Sequence, residues 1–270
     1  MVWRLIDIEA AAWRRAGQAP SLWWRDDDAR RPSAALDRLL DLSENYRVPV
    51  SLAIIPDVDL APLAAQLRNR PFVRAIQHGV DHRNRNEGGA FAAEFKPSAP
   101  ASEVAKRVEA GWARLSSAVD AAPIFAPPWN RITPNLLEGL LQTPIRAVSG
   151  YGAAEPVPAG LASLNAHLDV LRWDPPRFRG SGGALVRLWR HLRVRRKTGR
   201  WTEPIGLLTH HRNLDEAAWS FLEAFLARTR RPGSALDWRT ADEILERGQG
   251  QPAPRESQAG DRESGVRGER

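Results

Sequence analysis

Four histidines and a run of three aspartates carry most of the chemistry this sequence offers. Asp26, Asp27 and Asp28 are consecutive and follow two tryptophans. Three adjacent carboxylates repel one another, and a cation relieves that cost. His78 and His82 are spaced i, i+4, and His210 and His211 are adjacent. Cysteine is absent, which excludes disulfides, thiolate metal sites and cysteine nucleophiles. Any metal must therefore sit on His, Asp or Glu. One Asp oxygen with two imidazoles makes a three-ligand set, the layout of a catalytic rather than a structural zinc. Zinc is the default ion for such a set. One of His210 and His211 should point into the same site, where a neutral imidazole can give or take a proton.

The elements that must position these residues alternate. Leu22–Arg25 reads as a first strand ending in acids, and Leu36–Leu42 carries a helical stripe. Val48–Ile55 is a β-rich run of the kind buried on both faces. Leu60–Leu67 reads as a helix and Phe72–Ile76 as a strand leading to His78. A helix follows from about Ser102, the expected N-cap, to Val119. Ile124–Phe125 is a short strand stopped by Pro127 and Pro128, and Pro134 opens another helix after Thr133. Short strands are expected near Arg146–Ser149 and Leu161–Leu164. Ile205–Thr209 is the last strand, and a helix runs from about Asp215 to Arg228. Strand–helix alternation predicts a parallel sheet covered by helices, either a barrel or an open doubly wound sheet. In both forms, functional groups collect at the carboxyl ends of strands, where the acids and four histidines fall. The two tryptophans Trp23 and Trp24 should face opposite sides of the first strand.

Hydrophobic residues make up 43% and charged residues 26% of the 270 residues, so a packed core is expected and long-range disorder is not. The expected organisation is one domain over residues 1–247, with a disordered tail over 248–270. No apolar stretch is long enough to span a membrane. Charges near the amino terminus interrupt any signal-peptide core, so a cytoplasmic location is expected. The net charge is +7, and the excess lies between Arg187 and Arg200, where seven cations stand without an acid. A solvated helix face or a surface for an anionic glycan or lipid head group fits this stretch. No nucleic-acid motif accompanies it, and no nucleic-acid partner is expected.

In order, Trp24-Arg25-Asp26-Asp27-Asp28, His78-Gly79-Val80-Asp81-His82, Ala126-Pro127-Pro128-Trp129, Asp169-Val170-Leu171-Arg172-Trp173 and Leu208-Thr209-His210 resemble the five motifs of the polysaccharide deacetylases, the NodB-type metal-dependent carbohydrate esterases. The resemblance spans residues 24–211 and identifies a divergent member. It implies a distorted (β/α) barrel of seven or eight parallel strands. It further implies hydrolysis of an N-acetyl amide on a sugar or glycan at a divalent metal, with zinc expected. Asp27, His78 and His82 would be the ligands, Asp26 the general base, His210 the general acid and Asp169 its orienting partner. Pro128, Trp129 and Trp173 would contact substrate, and Trp201 is a further candidate for sugar stacking.

Two departures bear on these roles. Ala126 stands where the family has the arginine that holds the base, and Arg25 or an arginine from another strand would have to replace it. Asp28 stands where the family has glycine, so Asp27 and Asp28 could instead be base and ligand. Which of His210 and His211 is the acid is open in the same way. A lipid-linked or phosphorylated substrate would suit the basic stretch 187–200. The alternatives to a glycan deacetylase are a non-catalytic metal- or glycan-binding member and a hydrolase of a small non-carbohydrate amide.

Overall fold

The computed structural model describes residues 2–249. The expected tail lies outside this range except for residues 248 and 249, which end the last helix. The chain begins with helix α1 (Val2–Arg15), then alternates: β1 (Ser21–Ala29), α2 (Ala34–Tyr46), β2 (Val50–Ile54), α3 (Ala61–Leu67), β3 (Val73–His78), α4 (Ala101–Ala118), β4 (Ala121–Ala126), α5 (Pro134–Leu140) and β5 (Ala147–Val148). Four short strands follow, β6 (Ala162–Ser163), β7 (Ala166–Asp169), β8 (Leu171–Trp173) and β9 (Pro176–Phe178). The chain closes with α6 (Ser181–Lys197), β10 (Ile205–Thr209), α7 (Glu216–Arg230), β11 (Asp237–Trp238) and α8 (Ala241–Gln249).

The main sheet runs β6-β5-β4-β3-β2-β1-β10-β7, with β11 added beside β1, and every pairing in it is parallel. Past β5 the chain bridges in parallel from Tyr151 to Ala166 of β7, with Ala166 donating to Gly150 O and Gly152 to Ala166 O. That bridge brings the two sides of the curled sheet together as a distorted (β/α) barrel. β8 and β9 form a separate antiparallel hairpin.

Alternation along β1 sorts its side chains between two environments. Leu22 and Trp24 join the large core between sheet and helices, whereas Trp23 packs inside the barrel with Ala53, Ile76, Ala122, Ile124, Ala126, Ala147 and Leu164. Small residues around one tryptophan fill a narrow interior, and Ala241, Ile244 and Leu245 of α8 pack against it. Gly206 belongs to the same constraint: a Cβ there would lie 2.5 Å from the Trp23 indole nitrogen and 2.7 Å from Ala166 Cα.

The side chain of Asp215 caps α7, accepting from Ala218 N at 2.8 Å. Ser102 does not cap α4; that helix starts at Ala101, directly after Pro100. Two helices lie where no strand–helix pattern was read, α1 and α8.

Beneath β7 and β10, the buried Arg195 guanidinium lies 2.9 Å from His191 Nδ1 and 3.0 Å from His167 Nε2. Burial, and then the Arg195 charge, depress both imidazoles, His191 to about 4 and His167 to about 2. A depressed histidine binds protons less readily in the folded chain than in the unfolded one. Its contribution is therefore present above its ordinary 6.5 and drains as pH falls toward about 4. Melting temperature is expected to decline across that window, and His191→Gln to flatten the decline; an unchanged slope would place the acid lability elsewhere.

Candidate functional site

Because the barrel strands are parallel, the ends of β1, β3, β4, β7 and β10 open at one mouth. β1 brings three carboxylates to it, and the backbone gives each a different environment. Asp26 follows Trp24 outward. It is buried and accepts from Thr209 Oγ1 at 2.6 Å and His211 N at 3.0 Å, and its Oδ1 lies 2.5 Å from His211 Nδ1. Asp27 follows Trp23 and Arg25 inward. Strict alternation would send Asp28 outward again, but its φ of +69° and the register break between Asp26 and Ala29 turn the chain. Asp28 therefore joins Asp27 at the mouth.

The carboxylate that meets the paired imidazoles is Asp28. Its Oδ1 lies 3.2 Å from His78 Nε2 and 3.3 Å from His82 Nε2. Ligand atoms of Asp28, His78 and His82 all lie within 4.8 Å of one another, the one such group among the described residues. His78 Nδ1 faces the Ala126 carbonyl at 2.9 Å, and a carbonyl only accepts. The proton is thereby placed on Nδ1, and the Nε2 lone pair faces Asp28. A shared cation or a second proton on Nε2 satisfies that pair; burial opposes the charge on His78, but Asp27 and Asp28 outweigh it and raise the imidazole. Burial disfavours charge on Asp28, yet the His78 hydrogen bond and the neighbouring imidazoles outweigh it and hold its carboxyl below the usual range. Burial, and then His78, push His82 down, which keeps it neutral as a metal ligand must be. The donor set thus fits a divalent ion, with the expected Asp27 replaced by its neighbour.

Asp27 has a different partner. Arg25, fully buried on the same inward face, pairs with both its oxygens, Nε to Oδ1 at 2.9 Å and Nη2 to Oδ2 at 3.0 Å. The same guanidinium donates to Ser149 O at 2.6 Å, Ser149 Oγ at 2.7 Å and Asn130 Oδ1 at 2.5 Å. Arg25 therefore grips the carboxylate from β1, while Ala126 at the end of β4 carries no charge. His210 Nε2 faces Asp27 Oδ2 at 3.8 Å, and its Nδ1 is buried without a partner among the described residues. His210 turns inward while His211, one residue on, turns outward to Asp26.

Three further expectations meet a different geometry. Asp169 bonds Leu171 N at 2.8 Å and Trp173 Nε1 at 2.7 Å rather than His210; the Trp173 ring packs on His210 at 4.5 Å instead. Burial raises the Asp169 carboxyl, against the pull of His210 and these hydrogen bonds. Pro128 is buried behind Gly79, whose added Cβ would lie 2.5 Å from Pro128 Cγ. Trp201 packs edge-on against Trp13 at 4.9 Å and lines a cavity of about 970 Å³ shared with Ser21, the first residue of β1, at the opposite end from the acids. Trp129 and Trp173 are both exposed at the mouth, on His82 (4.5 Å) and His210 (4.5 Å) respectively.

One contributor went unread in the sequence. Buried Glu94 accepts from Val80 N (2.9 Å), Asp81 N (2.8 Å) and His82 N (2.7 Å), closing the loop that carries the second imidazole. Gly79 at φ +61° and His82 at φ +55° need that support. No sequence spacing announced it, since the loop from His82 to Glu94 has no regular period.

No family model matches the sequence, and no curated protein matches it. Solved structures do match the fold. A candidate polysaccharide deacetylase from Mycobacterium smegmatis superposes with a TM-score of 0.63 at 15% identity, over 86% of this chain and 92% of that one. A family 4 acetyl xylan esterase from Clostridium thermocellum, in complex with a cobalt ion, gives 0.56 at 13% identity, over 85% and 92%. A pseudoenzyme of the same esterase family from Bacillus anthracis gives 0.51 at 12%, over 84% and 66%. The chain has the fold of the family 4 carbohydrate esterases and polysaccharide deacetylases.

Removing Arg25 should be severe, because it strands a buried carboxylate. Arg25→Met is expected to cost about 3–5 kcal/mol in denaturant unfolding. Arg25→Met combined with Asp27→Leu should recover most of that; no recovery would mean that the bonds to Ser149 and Asn130 dominate.

Proposed function

We propose that this protein is a metal-dependent hydrolase that removes the acetyl group from an N-acetylated sugar or glycan. The convergence of Asp28, His78 and His82, one residue from an arginine-clamped Asp27, carries the reading. Asp28 and the two imidazoles would hold a divalent cation, with zinc the default. Bound there, such an ion would polarise the substrate carbonyl and ease ionisation of water.

The protein's own groups supply the proton steps. Asp27 is the general base. Arg25 pairs with it and fixes its orientation, so it can take a proton from the attacking water. His210, across from it at 3.8 Å, is the general acid. Protonated, it delivers its proton to the departing nitrogen, without which an amine leaves very slowly. Trp173 packs on the His210 ring and is itself tied to Asp169, so Asp169 positions the acid through the indole. The exposed faces of Trp129 and Trp173 suit the apolar face of a pyranose. Asp26 acts at a distance, locking the end of β10 through Thr209 and His211.

A non-catalytic role is the second reading, favoured by the family 4 pseudoenzyme among the similar folds. The Arg25–Asp27 pair weighs against it. A cytoplasmic location, one domain over residues 1–247 and a small-molecule or lipid-linked substrate remain proposals of the same order. No described helix is long and apolar enough to cross a membrane.

Metal analysis separates the roles of the adjacent acids. Asp28→Ala, His78→Ala and His82→Ala are expected to lose a bound divalent ion, whereas Asp27→Asn keeps it and loses acetate release from N-acetyl glycans by at least about 100-fold. Metal retained in Asp28→Ala would refute the ligand assignment, and wild-type metal content without turnover would move the second reading ahead. Glu94→Ala should weaken metal affinity by about 10–100-fold in chelator competition, by loosening the His82 loop.

A further inference from the structure

α1 and α6 pack side by side on the outside of the barrel. Trp13 donates to Leu192 O at 3.1 Å, and Glu9 is ion-paired with Arg196. Each helix leaves one face in solvent, and the two faces adjoin. On α1 the exposed residues include Arg4, Leu5, Ile8 and Arg15; on α6 they are Arg190, Arg193, Val194 and Lys197 toward its carboxyl end. Leu5, Ile8 and Val194 are 41%, 55% and 44% exposed. They account for half of the large apolar side chains that stand in solvent among the described residues.

The structure also divides the cations of the 187–200 stretch. Arg195 is buried, Arg187 donates to Tyr151 Oη, Arg196 pairs with Glu9 and Arg200 with Glu203. Arg190, Arg193 and Lys197 have no acidic partner among the described residues, and Arg193 lies over the Trp189 ring. The acids of α1 are committed elsewhere, Asp7 to Arg228 and Arg231, and Glu9 to Arg196. The joint face is therefore basic, with aliphatic side chains standing among the charges. The cleft along α1 lies on its other side, lined by Asp7, Arg14 and Arg228.

We propose that this α1–α6 face docks the protein on an anionic lipid surface. The aliphatics would enter the interface while the guanidinium and ammonium groups meet phosphate. A second copy of the chain would set like charges against each other. A nucleic acid would satisfy the cations and leave Leu5 and Ile8 against water. A lipid interface alone takes both kinds of side chain.

Flotation of the full-length protein with vesicles tests this. Phosphatidylcholine vesicles containing about a third phosphatidylglycerol should bind at least about 10-fold better than pure phosphatidylcholine, and binding should fall steeply with added salt. Arg190→Glu, Arg193→Glu and Lys197→Glu together should abolish binding. Leu5→Ser with Ile8→Ser should reduce it about 10-fold without altering charge. Melting temperature confirms that each variant is folded, and the Gln set of the three cations replaces the Glu set if that one unfolds. Equal binding to neutral vesicles, no binding to anionic ones, or indifference to the serine pair would each overturn the proposal. The last outcome, with retained heparin binding, would make the face a site for soluble polyanions.

Discussion

A charge cannot sit inside a narrow barrel without a partner, and the Arg25 guanidinium is such a charge. One side of the mouth is arranged around it. Its donors reach Asp27 on its own strand, Asn130 after β4, and the backbone and hydroxyl of Ser149 beyond β5. Asn130 and Trp129 both hold left-handed backbones, φ +56° and +54°, which are uncommon outside glycine. Asn130 N donates to Pro127 O and Arg131 N to Pro128 O, the Arg25–Asn130 hydrogen bond ties that turn to the interior, and the turn presents Trp129 to solvent. One buried cation thus fixes a carboxylate, a turn and an aromatic platform. Such a pair adds little stability over apolar packing of the same volume. Its return is orientation.

The three consecutive aspartates show how backbone geometry assigns chemistry. They have the same side chain and stand within one strand. Alternation alone separates Asp26, which satisfies the Thr209–His211 corner, from Asp27, which faces the interior. The bulge then recovers Asp28 for the inner side, so two adjacent carboxylates serve one mouth. Just past β10, His210 and His211 part in the same way, His210 facing Asp27 and His211 facing Asp26. Adjacent identical side chains are therefore not redundant: Asp26 and His211 pair with each other outside, while Asp27, Asp28 and His210 face the mouth.

Much of this was legible in the sequence, and the failures have physical causes. The strand–helix alternation and the clustering of chemistry at strand ends follow from side-chain pattern alone, as does the opposition of Trp23 and Trp24. Carrying that opposition two residues further puts Asp26 outside with Trp24. The left-handed φ at Asp28 is what no pattern announces, so the sequence left Asp27 and Asp28 open, and the structure sets Asp28 beside His78 and His82. Helix α1 escaped because its buried stripe, Ile6, Glu9, Ala10 and Trp13, includes a carboxylate. Glu9 is tolerable there only because Arg196, 187 positions away, meets it. Glu94 escaped for the same reason: its role is to accept backbone N–H groups, and those leave no trace in residue type.

That Asp27 is gripped by Arg25 of β1, with Ala126 at the end of β4, has a simple geometric basis. In a parallel barrel every strand delivers its carboxyl end to the same opening, so a guanidinium can approach one carboxylate from several strands. What must be kept is a guanidinium against both oxygens, and Arg25 provides it, an ion pair to Oδ1 at 2.9 Å and a hydrogen bond to Oδ2 at 3.0 Å. Asp26, Glu94 and Arg195, which hold the scaffold, each have several partners. His210 Nδ1 is buried with none among the described residues. A polar atom left open at the one imidazole that faces Asp27, beneath the exposed edge of Trp173, is where an incoming molecule has something to complete.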